Sequence, residues 1–362
     1  MLNIQNSSFI TDVVRLPKEV LQQMCTDLGI PDAGSVTDLA NEIWEQVRDN
    51  QVLRNVVLGT GRERLLAGRT SVAWFRPANG CSLEGARARI TQNAGFDPFA
   101  RIRNCSANEL TSTPVLMTAG TNGDDSKYYL RLMLRTGVSR VFNGTEMERR
   151  PRTSIITAYV DEQKGIIETR CEPKFAERIA STVTALVGDT VVVDPIPFCA
   201  LYDRDASRIA DALSGELIDT MCTPELLLEE FGDEQRSAVL NILNAVDTYF
   251  RNPEIELLGR ELTAAMQNLS PGHVALGFTA LILAGLEKVG MGVSGRDLRG
   301  LPLYDSLRPF LSQTGGFIQF EHADNRVTHT YTIRVGLQSD SVFFMTPATE
   351  SVIEYVRERL LP

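Results

Sequence analysis

The stretch KYYLRLMLR, residues 127–135, alternates with a period of two, and no other feature limits the fold as tightly. Tyr128, Leu130, Leu132 and Leu134 fall on one side, and Lys127, Tyr129, Arg131, Met133 and Arg135 on the other. Side chains alternate across a β-strand, so the run reads as a strand with one apolar face needing cover and one cationic, aromatic face. Its neighbours extend the pattern. Residues 113–137 read as strand, polar turn and strand, with Gly123, Asp124 and Asp125 supplying the turn. Residues 153–171 read as a second hairpin with its loop at 161–165, followed by a helix carrying Phe175, Ile179, Val183 and Leu186 on one stripe. The end of the chain shows the same order. Strand-like runs at 317–322, 328–335 and 341–345 precede an amphipathic helix with Val352, Ile353, Val356 and Leu360. This predicts a diverged internal repeat, each unit an antiparallel sheet with a helix on one face, and hence an α+β fold.

A chain of 362 residues exceeds one ordinary core, so a multi-domain organisation is expected. Four parts are distinguished: a helical module over 1–55, a basic α+β domain over 56–189, an acidic helical segment over 190–270, and a C-terminal α+β domain over 271–362. Residues 56–65 read as a strand running into a glycine turn, 71–77 as a strand stopped by Pro77, and 81–95 as a short helix bearing Arg87 and Arg89. Helices are expected at 206–221, 224–231, 234–250, 254–269 and 274–289.

Within the first part, Val20, Leu21, Met24, Cys25 and Leu28 recur at helical spacing and Gly29 supplies a stop. An extended loop follows. Ser35 with Asp38 then has the form of a capping box before a second stripe of Leu39, Ile43 and Val47. The run LPKEVLQQMCTDLGIPDAGSVTDLANEIWEQV, residues 16–47, resembles SAP and related helix–extended-loop–helix modules, many of which bind DNA. The resemblance covers under a tenth of the chain. It departs from the family where lysine or arginine usually stands, because this sequence has Asp32, Ser35, Thr37 and Asp38 there. Docking of protein partners through this module is therefore as well supported as DNA binding.

Charge separates the parts. The chain carries a net −10, yet residues 62–152 hold 15 basic and 8 acidic side chains, and 14 of those bases are arginine. Arginine's planar fork grips phosphate or carboxylate at two points and stacks on flat rings. A basic block in an acidic chain selects a polyanion or an acidic protein surface as partner. The expected nucleic-acid-binding residues are Lys127, Tyr129, Arg131, Arg135, Arg140, Arg149, Arg150 and Arg152. Phosphate contacts need several cations along a path, and base stacking needs a ring among them. The favoured reading is a non-catalytic DNA- or RNA-binding protein. The alternative is a structural or regulatory subunit of a multiprotein complex whose basic face docks an acidic partner.

Other chemistry is less well supplied. Asp161 with Glu168 has the look of the paired carboxylates of a metal-dependent nuclease, though a tight hairpin commonly places such groups at its turn. Glu321, His322 and His329 fall on adjacent expected strands. The GxGxxG spacing at 290–295 lacks the preceding strand that a dinucleotide site needs, and Gly59-Thr60-Gly61-Arg62 lacks the lysine of a phosphate-binding loop. No cofactor or metal site is expected. Six cysteines without a CxxC pair read as reduced thiols. With no membrane-length apolar run and no basic start followed by an apolar block, a cytoplasmic protein is expected.

Overall fold

One strand organises the molecule: β1 (Ser71–Pro77) contributes alternate residues to two cores on opposite sides of a single sheet. The structure is a computed structural model. It describes all residues except 79–80, 106–108, 112, 189–190, 225–232, 267–288, 293–295, 309–310, 325–326 and 362. The N-terminal helices are α1 (Ile10–Val13), α2 (Lys18–Leu28), α3 (Val36–Val47), α4 (Gln51–Val57) and α5 (Arg62–Leu65). After β1 come α6 (Ala86–Asn93), β2 (Val115–Thr121), β3 (Lys127–Asn143), β4 (Glu146–Asp161), β5 (Ile166–Arg170) and α7 (Pro173–Val187). The second half comprises β6 (Val193–Pro195), α8 (Ala206–Ala212), β7 (Glu216–Pro224), α9 (Asp233–Arg251), α10 (Ile255–Met266) and β8 (Val289–Gly292). It closes with α11 (Pro302–Leu307), β9 (Leu311–Asp324), β10 (Val327–Gly336), β11 (Ser341–Phe344) and α12 (Glu350–Leu360).

The fold is α+β. Among the described residues the strands form one sheet in the order β2-β3-β4-β5-β1-β11-β10-β9-β7-β8, with β6 paired to the far end of β1. Every pairing in it is antiparallel. The two halves mirror each other about β1. In each, four strands run inward in chain order from β2 or β7, through β3–β4–β5 or β9–β10–β11, and a helix follows the last of them. The strand–strand–strand–helix order read at both places in the sequence is present as β3–β4–β5–α7 and β9–β10–β11–α12. The sheet runs across the boundaries drawn at 189/190 and 270/271, because β1 pairs with β6 and β11, and β7 with β9.

The two halves place their helices on opposite faces. Ala73 and Phe75 of β1 join Leu130, Leu132, Ile156 and Ala158 beneath α6 and α7. Val72 and Trp74 face the other way and join Ile333, Phe344, Val352 and Val356 beneath α12. A third core lies under the N-terminal helices, where Leu21, Met24, Leu39, Ile43 and Val47 pack on Tyr129 and Tyr159 of the sheet. Burial on this scale contributes roughly 25 cal/mol per Å² of apolar surface removed from water, and it holds the helices to the sheet more firmly than their own propensities do.

Local signals explain the N-terminal helices. Gly29 ends α2 in the left-handed region at φ 68°, as a C-terminal glycine does. The Ser35 side chain accepts from the Asp38 backbone N–H, and the Asp38 carboxylate accepts from that of Ser35, so the expected capping box begins α3. Residues 56–65 differ from expectation. They are helical because the Asn50 side chain caps α4 through the Leu53 N–H at 3.0 Å, and a 3-10 turn follows at Leu58–Gly61. A side chain at Gly61 would meet Met24 Cε at 2.8 Å, so this turn is packed against α2. The helix expected at 206–221 stops at Ala212, and residues 216–224 form β7, held by the ladder to β9. The expected helices at 224–231 and 274–289 lie almost wholly outside the described residues, as does the end of the GxGxxG spacing, whose start lies in β8.

Candidate nucleic-acid interface

The strands β3 and β4 are far longer than their neighbours require. β2 leaves β3 at Met133, and β5 meets β4 only from Thr157 onward. Between Arg135↔Thr153 and Asn143↔Glu146 the two strands pair, among the described residues, only with each other. The result is a two-stranded ribbon projecting from the sheet by about 25 Å, at roughly 3.3 Å per residue. Gly144, at φ 63°, closes its tip in a conformation that glycine adopts without strain. At its root the register shifts between Arg135 and Gly137, a bulge that bends and twists the ribbon relative to the sheet.

Directly paired residues of an antiparallel ladder share a face. One face of the ribbon therefore carries Val138 with Pro151, Arg140 with Arg149, and Phe142 with Met147. The opposite face carries Gly137 with Arg152, Ser139 with Arg150, and Val141 with Glu148. Arg140 and Arg149 are exposed and have no carboxylate partner among the described residues. Like charges set directly opposite each other destabilise a ladder. They also leave a concentrated positive site between two apolar pairs. Phe142 is 71% exposed and Met147 43%. Arg150 is partly neutralised by Glu148 at 2.8 Å, and Glu148 is held below the ordinary carboxylate range by that hydrogen bond. Arg135 and Arg152 are exposed at the root.

The rest of the expected binding face lies inside the molecule. Arg131 is only 1% exposed. Its Nη2 donates to both carboxylate oxygens of Asp12 at 2.5 Å, its Nη1 donates to Thr157 Oγ1, and its guanidinium lies 5.7 Å from the Phe9 ring. Tyr129 is buried as well, and its hydroxyl donates to Glu350 at 2.8 Å. Burial foremost, with the Glu350 charge second, pushes the Tyr129 phenol well above its ordinary range. Neither side chain is available to a ligand in the folded protein. The open cationic, aromatic face expected over residues 127–135 is instead an interior face, because α1 and the N-terminal core sit on it. Lys127 is half-buried at the opposite end of β3 from the ribbon. Of the expected residues, the structure places Arg135, Arg140, Arg149, Arg150 and Arg152 along the ribbon, with Arg140 and Arg149 on one face and Arg150 and Arg152 on the other, and it separates Lys127, Tyr129 and Arg131 from them.

The interior face continues as a charged network. Glu168 is fully buried; its Oε2 accepts from Trp74 Nε1 at 2.9 Å and Arg357 Nη1 at 2.8 Å, and its Oε1 from Arg170 Nε at 2.9 Å. Arg170 also donates to both oxygens of Glu350 at 2.6 and 2.7 Å. Burial opposes charge on Glu168, but Arg357 and Arg170 with these hydrogen bonds outweigh it and hold the carboxyl below its ordinary range. Asp161 accepts the Lys164 backbone N–H at 2.9 Å and caps the β4–β5 turn. The carboxylates noted for nuclease chemistry are thus both buried, and Glu168 is saturated by its own cations. Network members Arg357 and Glu350 were not singled out in the sequence, since nothing local to α12 reports that it crosses the ends of β4 and β5.

His322 pairs across β9–β10 with His329, and its Nε2 lies 2.8 Å from Ser351 Oγ. Among the described residues no group of three or more His, Cys, Asp or Glu side chains is arranged to hold a metal ion. Among them also, no helix is long and apolar enough to cross a membrane. No protein-family model matches the chain, and no curated protein matches it.

Proposed function

We propose that the protein binds nucleic acid through the β3–β4 ribbon. The observation that carries this reading is the exposed Arg140–Arg149 pair, set between the apolar pairs Val138–Pro151 and Phe142–Met147, with Arg135 and Arg152 at the root. A two-stranded ribbon fits the major groove of duplex DNA, about 12 Å wide. Basic ribbons with apolar tips also suit the minor groove, where a side chain such as phenylalanine or methionine wedges between base steps. Guanidinium groups along the ribbon would neutralise phosphates and fix its position, while Phe142 and Met147 would contact bases or sugars. The test is fluorescence anisotropy with labelled duplex and single-stranded oligonucleotides, comparing the wild type with R140A/R149A. Binding that weakens by at least about tenfold in the variant supports the reading. Equal binding by both proteins, or none by either, overturns it.

The exposed Phe142 and Met147 favour one second reading, in which the ribbon docks an acidic protein partner within a larger assembly. Purification from the native host separates the two. Co-eluting nucleic acid that is lost with R140A/R149A supports the first, and a stoichiometric acidic protein without nucleic acid supports the second.

A further inference from the structure

At the root of the ribbon, on the line where the two halves of the sheet meet, lies a cleft of about 290 Å³. Four arginines from distant parts of the chain line it: Arg15 between α1 and α2, Arg69 before β1, Arg170 at the end of β5, and Arg334 on β10. Arg170 is balanced by Glu168 and Glu350. Arg15, Arg69 and Arg334 are exposed, and none of them has an ion-pair partner among the described residues. Among the described residues the lining has one carboxylate, Glu172, and it is taken by Lys174 at 2.5 Å. Three arginines without an ion-pair partner among the described residues therefore line one concavity of an acidic protein.

We propose that this cleft is a binding site for a phosphoryl group of a small phosphate-bearing ligand or of a nucleic-acid terminus. Converging like charges raise the energy of the empty protein, and a multiply charged oxyanion relieves that repulsion. Arginine forks bind such an anion through paired, charge-assisted N–H···O bonds, and a tetrahedral phosphate offers oxygens to several forks at once. The remaining lining matches a ligand larger than the bare ion. Ser71 and Ser154 belong to the same lining. The Phe343 ring, stacked 5.5 Å from the Arg334 guanidinium, supplies a flat surface. A volume of this order suits a pyrophosphate or a mononucleotide and is small for a dinucleotide cofactor. The site is distinct from the Arg140–Arg149 pair, so either can fail without the other.

Calorimetric titration of the full chain with pyrophosphate at low salt tests it. Arg69 and Arg334 are exposed, so R69A/R334A keeps the fold, which its far-UV circular dichroism and unfolding midpoint verify. The expected result is saturable binding by the wild type, at least about tenfold weaker in R69A/R334A. R140A/R149A removes the same number of charges and should change the affinity by less than about twofold. Absence of pyrophosphate binding by the wild type overturns the site. Equal weakening in the two variants also overturns it, because diffuse charge would then account for binding. Oligonucleotides with a 5′-phosphate or a 5′-hydroxyl distinguish the two sources. A preference for the phosphate that is lost in R69A/R334A assigns the cleft to strand ends. Equal binding of the two oligonucleotides, with pyrophosphate binding retained, assigns it to a free ligand.

Discussion

Replacing Asp12 with alanine removes the carboxylate that pairs with Arg131. Both partners are almost wholly buried, at 3% and 1% exposure, so the guanidinium left behind has no route to water without opening the N-terminal helices. Breaking a buried ion pair in this way costs about 3–5 kcal/mol, most of it the energy of an uncompensated interior charge. That is a large share of the ~5–15 kcal/mol by which a folded protein is stable. For a chain of this size, with a urea dependence of about 3 kcal/mol per molar, the unfolding midpoint should fall by roughly 1–1.7 M. Trp44 in α3 and the buried Trp74 in β1 report unfolding of the N-terminal helices and of the sheet by fluorescence. The double variant D12L/R131M, which replaces the pair with apolar groups, should recover most of the loss. It should also bind nucleic acid as the wild type does. A D12A midpoint within about 0.2 M of wild type would refute the burial of the pair. Loss of nucleic-acid binding in a well-folded D12L/R131M protein would refute the assignment of Arg131 to the interior.

Acid should unfold the protein partly through Glu168. Its folded pKa lies below the ordinary 4.5, so its stabilising contribution is complete above that value and is lost as pH falls through the folded value. In E168Q, stability at neutral pH should be lower, and its decline below pH 4.5 shallower, by urea unfolding at a series of pH values. Replacing residues 137–152 with a short turn should leave the unfolding midpoint within about 0.3 M of wild type, since the ribbon pairs with no other strand among the described residues, while abolishing oligonucleotide binding in the anisotropy assay. F142A should weaken oligonucleotide binding by about 1–3 kcal/mol, the range for losing one stacked ring, without changing its salt dependence, because the ring neutralises no phosphate.

Much of this architecture is legible residue by residue. The period-two runs mark β3, β4, β5, β9, β10 and β11, and the helical stripes mark α7 and α12. The Ser35–Asp38 box and Gly29 set the limits of α3 and α2. What sequence reading could not supply is which surface covers which. The alternation in residues 127–135 reports two faces for the strand and is silent about a carboxylate 119 positions away that lies against Arg131. An arginine on an interior polar face and one on an open face look the same in a linear pattern. Residues 216–224 are short and mixed in period, so only the ladder to β9 decides their conformation. Val56, Val57 and Leu58 have the composition of a strand, but the Asn50 cap and packing on α2 make them helical. The ribbon itself is set by where β2 and β5 stop, which depends on pairing rather than on the composition of β3 and β4.

The salt dependence of duplex binding addresses the role of the ribbon most directly. Four ribbon arginines without carboxylate partners among the described residues, Arg135, Arg140, Arg149 and Arg152, would displace about four counterions, for a slope of about −3.6 in log affinity against log salt and a loss of about 150-fold between 50 and 200 mM. In R140A/R149A the slope should fall to about −1.8, and the loss over the same range to about 12-fold. An unchanged slope in that variant would place the phosphate contacts elsewhere on the molecule and contradict the assignment.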